Sequence, residues 1–152
     1  MTRLFLMCGL PGAGKTTRAR RLAERLPTVR LSPDEWLAGL GLDLFDIAAR
    51  ARLERQLWAH TLELLRLGQS VILEFGFWST AERAEKLAAA REAGARVHLD
   101  YAEVPLEELV RRVTARGVPP ITEAQLRDYA ELFEAPDAAE LSRFDPWPDP
   151  VR

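Results

Sequence analysis

Gly9-Leu10-Pro11-Gly12-Ala13-Gly14-Lys15-Thr16 is the stretch on which the reading of this chain turns, and it satisfies the pattern G-x-x-x-x-G-K-[ST]. Residues 3–8, just before it, form a compact apolar run of the kind that makes a strand covered on both faces. Just after it, from Lys15 to Leu26, Ala19, Leu22, Ala23 and Leu26 recur at helical spacing until Pro27 stops the pattern. Strand, glycine loop, helix is the context in which the motif cradles phosphate. Its glycines let the backbone turn through positive φ and gather successive N–H groups at the positive end of the following helix dipole. Gly9, Gly12, Ala13, Gly14, Lys15, Thr16 and Thr17 are therefore the candidate nucleotide-binding residues. Lys15 would reach the β and γ oxygens, and the Thr16 hydroxyl would ligate Mg²⁺. The competing explanation, a glycine-rich turn that binds nothing, needs the glycines to fall beside Lys and Thr by chance. Only Lys15 and Lys86 among the 21 basic residues are lysines, so a compact point charge stands here in a chain that otherwise uses arginine.

Downstream, strands and helices alternate. Val29 to Leu31 reads as a short strand, and Ser32-Pro33-Asp34-Glu35 as a capping box with proline at the first helical position, opening a helix that breaks near Gly39 or Gly41. A long helix spans about 45–67 and ends at Gly68; Ser70 to Glu74 is a third strand. Ser79 to Glu82 is a second capping box that opens a helix to Ala93, and Ala95 to Tyr101 is a fourth strand. Pro105 starts a helix with an apolar stripe of Leu106, Leu109, Val110 and Val113, and Thr122 to Gln125 caps a last helix. After Pro136 the pattern fades into a proline-rich tail around Trp147, packed or frayed. Alternation of this kind implies right-handed crossovers, a parallel sheet, and a ligand site at the carboxyl ends of the strands.

A chain of 152 residues suits one domain that buries roughly two thirds of its unfolded surface. With 47% hydrophobic and 29% charged residues it is neither disordered nor fibrous. A formal net charge of -2 supplies no overall field for a nucleic-acid backbone or an anionic membrane, which favours a small acceptor over a long nucleic acid. Cys8 is the only cysteine, so neither an intrachain disulfide nor a cysteine-based metal site can form. With no A-x-A-like site after the first apolar run and no run of about 18 apolar residues, the expected location is the cytoplasm.

Several strand ends carry chemistry. Asp34, just after the second strand, is placed where a hydroxyl to be phosphorylated would meet a γ-phosphate, and is the candidate base or orienting group. The alternative is a carboxylate that only meets a helix dipole. Glu35 is better read as the capping partner of Ser32. Glu74 ends the third strand as a lone acid, suited to a Mg²⁺-bound water or a substrate hydroxyl; Asp100 ends the fourth with a weaker claim on metal. Arg112 and Arg116 lie one turn apart on the flank of their helix, where they would neutralise charge on a transferring phosphoryl group or form a solvated basic face, whereas Arg111 points away. Trp36, Phe77 and Trp78 either line an acceptor pocket or pack. His60, His98 and Cys8 look structural.

The N-K-x-D segment of GTPases and the glycine-rich signature of ABC ATPases are absent. GLPGAGKTT at Gly9 to Thr17, Asp34 after the second strand, and R-x-x-x-R at Arg112 and Arg116 together resemble the compact P-loop kinases grouped with polynucleotide 5′-hydroxyl kinase, chloramphenicol phosphotransferase and zeta-type toxins, the AAA-like ATP-binding proteins. The resemblance runs through most of residues 3–134. It implies an α/β, three-layer P-loop NTPase fold with an adenylate-kinase-like parallel sheet of four or five strands and a short helical lid. It also implies ATP with Mg²⁺, Asp34 as base, and arginines closing over the phosphates. Glu74 stands where the family usually has aspartate, and no fifth strand is legible after the lid. The expectation is one kinase domain over 1–152, with a lid at about 105–121 and an extension at about 136–152. It would transfer a γ-phosphoryl group to a hydroxyl of a small molecule or nucleotide; a polynucleotide 5′-hydroxyl kinase and an ATP-gated interaction module are the alternatives.

Overall fold

The computed structural model describes residues 1–118 and 120–148. In chain order the elements are β1 (Arg3–Cys8), α1 (Lys15–Arg25), β2 (Thr28–Leu31), α2 (Pro33–Gly39), α3 (Ile47–Arg66), β3 (Ser70–Gly76), α4 (Thr80–Glu92), β4 (Arg96–Tyr101), α5 (Leu106–Arg116), α6 (Glu123–Leu132) and α7 (Ala138–Leu141). The four strands form one parallel sheet in the order β2-β3-β1-β4.

The run at 3–8 is apolar throughout because its strand has no solvent face: Leu4, Phe5, Leu6, Met7 and Cys8 are all fully buried. Alternate residues divide between two layers. Phe5, Met7 and Ile72 pack against Ala19 and Leu22 of α1. Leu4, Leu6, Val71 and Leu73 pack on the other side against Leu57 and Leu65 of α3 and Leu87 and Ala90 of α4. Right-handed crossovers account for this: the chain moves one way along the sheet from β1 to β2 and the opposite way afterwards, so α1 lands on one face and α3 and α4 on the other. The connections leaving the neighbouring strands β1 and β3 therefore go to opposite faces, which opens a crevice between these two strand ends, and the glycine loop enters it.

Both serine caps form only half of the expected box. Ser32 accepts from the Glu35 N–H at 3.4 Å and Ser79 from the Glu82 N–H at 3.2 Å. The Glu35 carboxylate, expected to reach back to Ser32, pairs instead with Arg20 and Arg30, because a guanidinium is a stronger partner than a backbone amide. Only Thr122 and Gln125 complete the reciprocal pair.

The tail is packed over the described part. Asp145 donates its N–H to the Val97 carbonyl and accepts the Val97 N–H on its own carboxylate, each at 2.8 Å. Those are the outward-facing ladder groups of β4, so this residue occupies the flank where a fifth strand would lie. Trp147 meets Phe5 edge-on at 5.4 Å. The expected lid and extension include Pro119 and residues 149–152, which lie outside the described residues.

Candidate active site

Beyond Cys8 the chain leaves the sheet, and two hydrogen bonds fix the loop that follows: Gly9 N–H to Gly76 carbonyl at 2.9 Å and Ala13 N–H to Leu10 carbonyl at 3.1 Å. Gly12 has φ 88, and a Cβ there would sit 3.1 Å from Val113 Cγ2 and 3.3 Å from the Leu109 carbonyl oxygen of α5. Gly14 caps α1 without a side chain, whereas α2, α3, α4 and α6 each start on a side-chain oxygen. Among the described residues no acceptor meets the N–H groups of Gly12, Gly14, Lys15, Thr16 and Thr17. Five converging donors at a helix N-terminus form an anion cradle.

Lys15 Nζ donates to the carbonyls of Gly9 at 2.8 Å and Leu10 at 3.0 Å. Burial pulls its pKa from the usual 10.5 to about 8; Asp34 works against that, and Arg50 and Arg18 reinforce it. The next residue, Thr16, lies beside β3, where its hydroxyl donates to Glu74 Oε1 at 2.8 Å. Glu74 is buried on the α1 side of the sheet, and its second oxygen is paired with Arg30. A hydroxyl and one carboxylate next to a phosphate cradle fit Mg²⁺, which keeps waters and takes most of its other ligands from nucleotide oxygens. Among the described residues no cluster of three or more His, Cys, Asp or Glu forms a stand-alone metal site.

Asp34 lies in the first turn of α2 with its side chain 56% exposed and ion-paired to Arg50 of α3. Arg50 also reaches Glu54 at 3.3 Å. Arg112 of α5 donates to the Gly12 carbonyl at 3.2 Å and to Glu108 at 2.9 Å. Arg116, in the last turn of the same helix, is exposed and has no bonded partner among the described residues. Arg111 pairs with Glu108 on the solvent side. Lys15, Thr16 and Glu74 thus meet at the loop, Arg112 touches it, Asp34 is close enough for its charge to act on Lys15, and Arg116 stands apart.

Asp100 is held by the Arg18 guanidinium, with Nε at 2.8 and 3.0 Å, and Arg18 also donates to the Ala13 carbonyl at 2.6 Å. That carboxylate anchors the loop. Phe77 is buried in the core and adopts φ 51, turning its carbonyl inward to Arg83 Nη1 at 2.7 Å. Trp78 donates to the Gly9 carbonyl at 3.3 Å and rests on Tyr129 at 5.2 Å. Trp36 is 44% exposed on α2. Burial raises the Cys8 thiol to about 11, and His98 is stacked on Phe5 at 4.9 Å. Arg18, Arg30 and Arg50 escaped the sequence reading. The i,i+4 spacing of Arg50 and Glu54 was visible, but nothing in it pointed to Asp34.

A family profile described as an AAA domain matches residues 4–136. The chain belongs to that AAA-domain family. No curated protein matches the sequence of this AAA domain. Among solved structures, it is similar to a chain of the Pnkp1/Rnl/Hen1 RNA repair complex, with 22% identity, a TM-score of 0.75 and 99% of this chain covered. It spans about half of that protein, 49% of its length. It is also similar to a Mycobacterium tuberculosis APS kinase in complex with AMPPNP and APS (22% identity, TM-score 0.65, 89% of this chain and 83% of that one). A sugar kinase from Janibacter is similar at 24% identity and a TM-score of 0.67, covering 92% of this AAA domain and 82% of that chain. These likenesses establish the shared P-loop fold. Among the described residues no helix is long and apolar enough to cross a membrane.

Proposed function

We propose that this AAA domain is an ATP-dependent phosphotransferase that moves the γ-phosphoryl group to a hydroxyl of a small molecule or nucleotide. The observation that carries the reading is the cradle: five N–H groups without an acceptor among the described residues, converging beside Lys15, with Thr16 on Glu74 and Asp34 across from the lysine. An array of donors around one lysine is suited to a polyphosphate. The kinases among its structural neighbours, one of them bound to AMPPNP, support ATP as the donor.

In this reading the loop amides and Lys15 bind the β and γ phosphates, exchanging the Gly9 and Leu10 carbonyls for phosphate oxygens at Nζ. Thr16 and Glu74 would hold Mg²⁺, directly or through water, and the ion would supply neutralisation of phosphate charge. The acceptor oxygen bonds to the γ-phosphorus as the bond from that phosphorus to the bridging oxygen of ADP breaks, its electron pair leaving with ADP. Asp34 takes the hydroxyl proton, and Arg50 orients its carboxylate. Arg112, with Arg116 one turn further along α5, neutralises charge on the transferring group, and residues 105–121 act as the lid.

Substitution of Asp34 by Asn tests the assignment. It should leave ATP affinity, read by calorimetry with Mg²⁺, within about threefold while lowering phosphate transfer about 10²- to 10⁴-fold. Unchanged transfer would remove Asp34 from the chemistry. Absence of any triphosphate binding by the wild-type protein would remove the kinase reading altogether, and nucleotide binding without transfer to any acceptor would favour an ATP-gated interaction module.

A further inference from the structure

The sheet has a second end, away from the glycine loop. β1 starts there at Arg3, about 20 Å from Gly9 at the rise of a parallel strand. A cavity of about 120 Å³ opens at this end. Its wall is Met1, Arg3 and Phe5, the stretch from Leu26 to Thr28 that leads into β2, and Ser70 of β3. Among the described residues no aspartate or glutamate lines it. The space is well above the roughly 10–15 Å³ that admits one water and well below the roughly 300 Å³ at which pockets for organic ligands begin. It suits an ion of a few atoms.

The wall holds donors without acceptors. Arg3 Nε is buried with no hydrogen-bond partner, and among the described residues nothing pairs with the rest of its guanidinium. The Arg3 backbone N–H donates to Ser70 Oγ at 3.0 Å, which leaves the serine O–H as a further donor. Arg96 stands opposite Arg3 in the register between β1 and β4, on the face that carries Phe5 and His98. It is exposed and has no bonded partner among the described residues. Like charges directly opposed on neighbouring strands repel. Asp145, the acid bonded to β4, does not relieve them: its carboxylate takes the Val97 N–H at 2.8 Å and lies 3.7 Å from Arg91. A buried guanidinium nitrogen without an acceptor and two facing cations without a counter-ion are two costs at one place. An anion with several acceptor atoms removes both.

We propose that this cavity binds a phosphate-sized oxyanion, either inorganic phosphate or the phosphate group of a monoester, held by the Arg3 guanidinium and the Ser70 hydroxyl with Arg96 at the rim. A carboxylate brings one charge to two guanidinium groups, whereas a phosphate group brings nearly two and more acceptor oxygens. The site is separate from the nucleotide cradle and does not depend on the kinase reading. His98 serves as its reporter. It is stacked on Phe5 of the cavity wall, and its Nε2 has no partner among the described residues. Burial lowers its pKa, backbone bonds to Asp145 and Pro146 oppose this, and the charge of Arg3 adds to the lowering.

The test is calorimetry of the full chain with inorganic phosphate, glycerol 3-phosphate and acetate at constant ionic strength in chloride. Lys15→Met serves as the background in which the cradle has lost its lysine. A phosphate-binding event should persist in that background, weaken at least about tenfold when Arg3→Gln is added, and weaken less with Arg3→Lys, which keeps the charge and loses the fork. Acetate should bind at least about tenfold more weakly than phosphate. In the wild-type protein the ring signals of His98 should move in proton NMR as phosphate is added, while those of His60 on α3 stand still. Binding of inorganic phosphate alone would identify the free ion as the ligand, and comparable binding of glycerol 3-phosphate would identify the phosphate group of a larger molecule; either supports the site. Binding that vanishes with Lys15→Met alone, an affinity indifferent to Arg3→Gln, acetate equal to phosphate, or His98 signals that do not move at saturation would each overturn it.

Discussion

At Lys15 a buried ammonium whose only bonded partners among the described residues are two carbonyls of its own loop has its pKa pulled down to about 8. A bound triphosphate returns charge compensation to it, so at mildly alkaline pH nucleotide binding takes up protons. Calorimetry in buffers of different ionisation enthalpy should find an uptake of about half a proton at pH 8 and close to none at pH 6.5. An uptake that stays flat between those values would show that Lys15 is already fully charged. Gly12 makes a separate demand. Its φ of 88 is strained for alanine, and a built Cβ would press on Val113 Cγ2 at 3.1 Å and the Leu109 carbonyl at 3.3 Å. Gly12→Ala should cost about 1–3 kcal/mol in stability, measured by urea unfolding, and weaken ATP binding at least about tenfold, because the strain falls on the cradle itself.

Arg83 is the element-scale counterpart. Fully buried on α4, it binds Glu140 of α7 at 2.6 and 2.9 Å and the carbonyls of Phe77 and Glu134 at 2.7 Å each. It therefore clamps the tail to the segment whose Trp78 touches Gly9. Glu140→Ala leaves that charge without its counterion and should destabilise by about 3–5 kcal/mol in denaturant unfolding, with Glu140→Gln clearly milder. A loss under about 1 kcal/mol would show that the carbonyls alone satisfy the guanidinium. The contrast with the glycine loop marks what was legible in the sequence. The loop, the strand at 3–8 and the helix stripes are local patterns, readable because period and turn chemistry act over a few residues. Glu74 was legible as a lone acid near the end of β3, although the strand runs on to Gly76. Arg18 with Asp100 spans 82 residues, Arg30 with Glu74 spans 44, and Arg83 with Glu140 spans 57. Nothing in local spacing tells those arginines from the chain's others. Nor did composition reveal that Asp145 would finish the edge of β4, since that role depends on two ladder groups of Val97.

For the whole molecule, two buried groups oppose each other at alkaline pH. Lys15 has a folded pKa of about 8, below its usual 10.5, so the unfolded chain holds that proton longer and stability rises with pH through this window. Cys8 is raised from 9.0 to about 11, so the unfolded chain loses the thiol proton first and stability falls as pH passes from 9 to 11. Over the overlap the two slopes cancel, and denaturant midpoints for the wild type should be nearly level between about pH 9 and 10.5. Lys15→Met removes the rising half and should leave a fall of about 1.4 kcal/mol per pH unit above pH 9; a level profile in that variant would contradict the assignment. The Asp145 contact with Val97 has a consequence for handling the protein. Lifting the tail by proteolysis or by a bulky carboxyl-terminal fusion would bare β4 as a template for a strand from another molecule. Preparations cut upstream of residue 145 should then run as strand-exchanged oligomers in sizing chromatography.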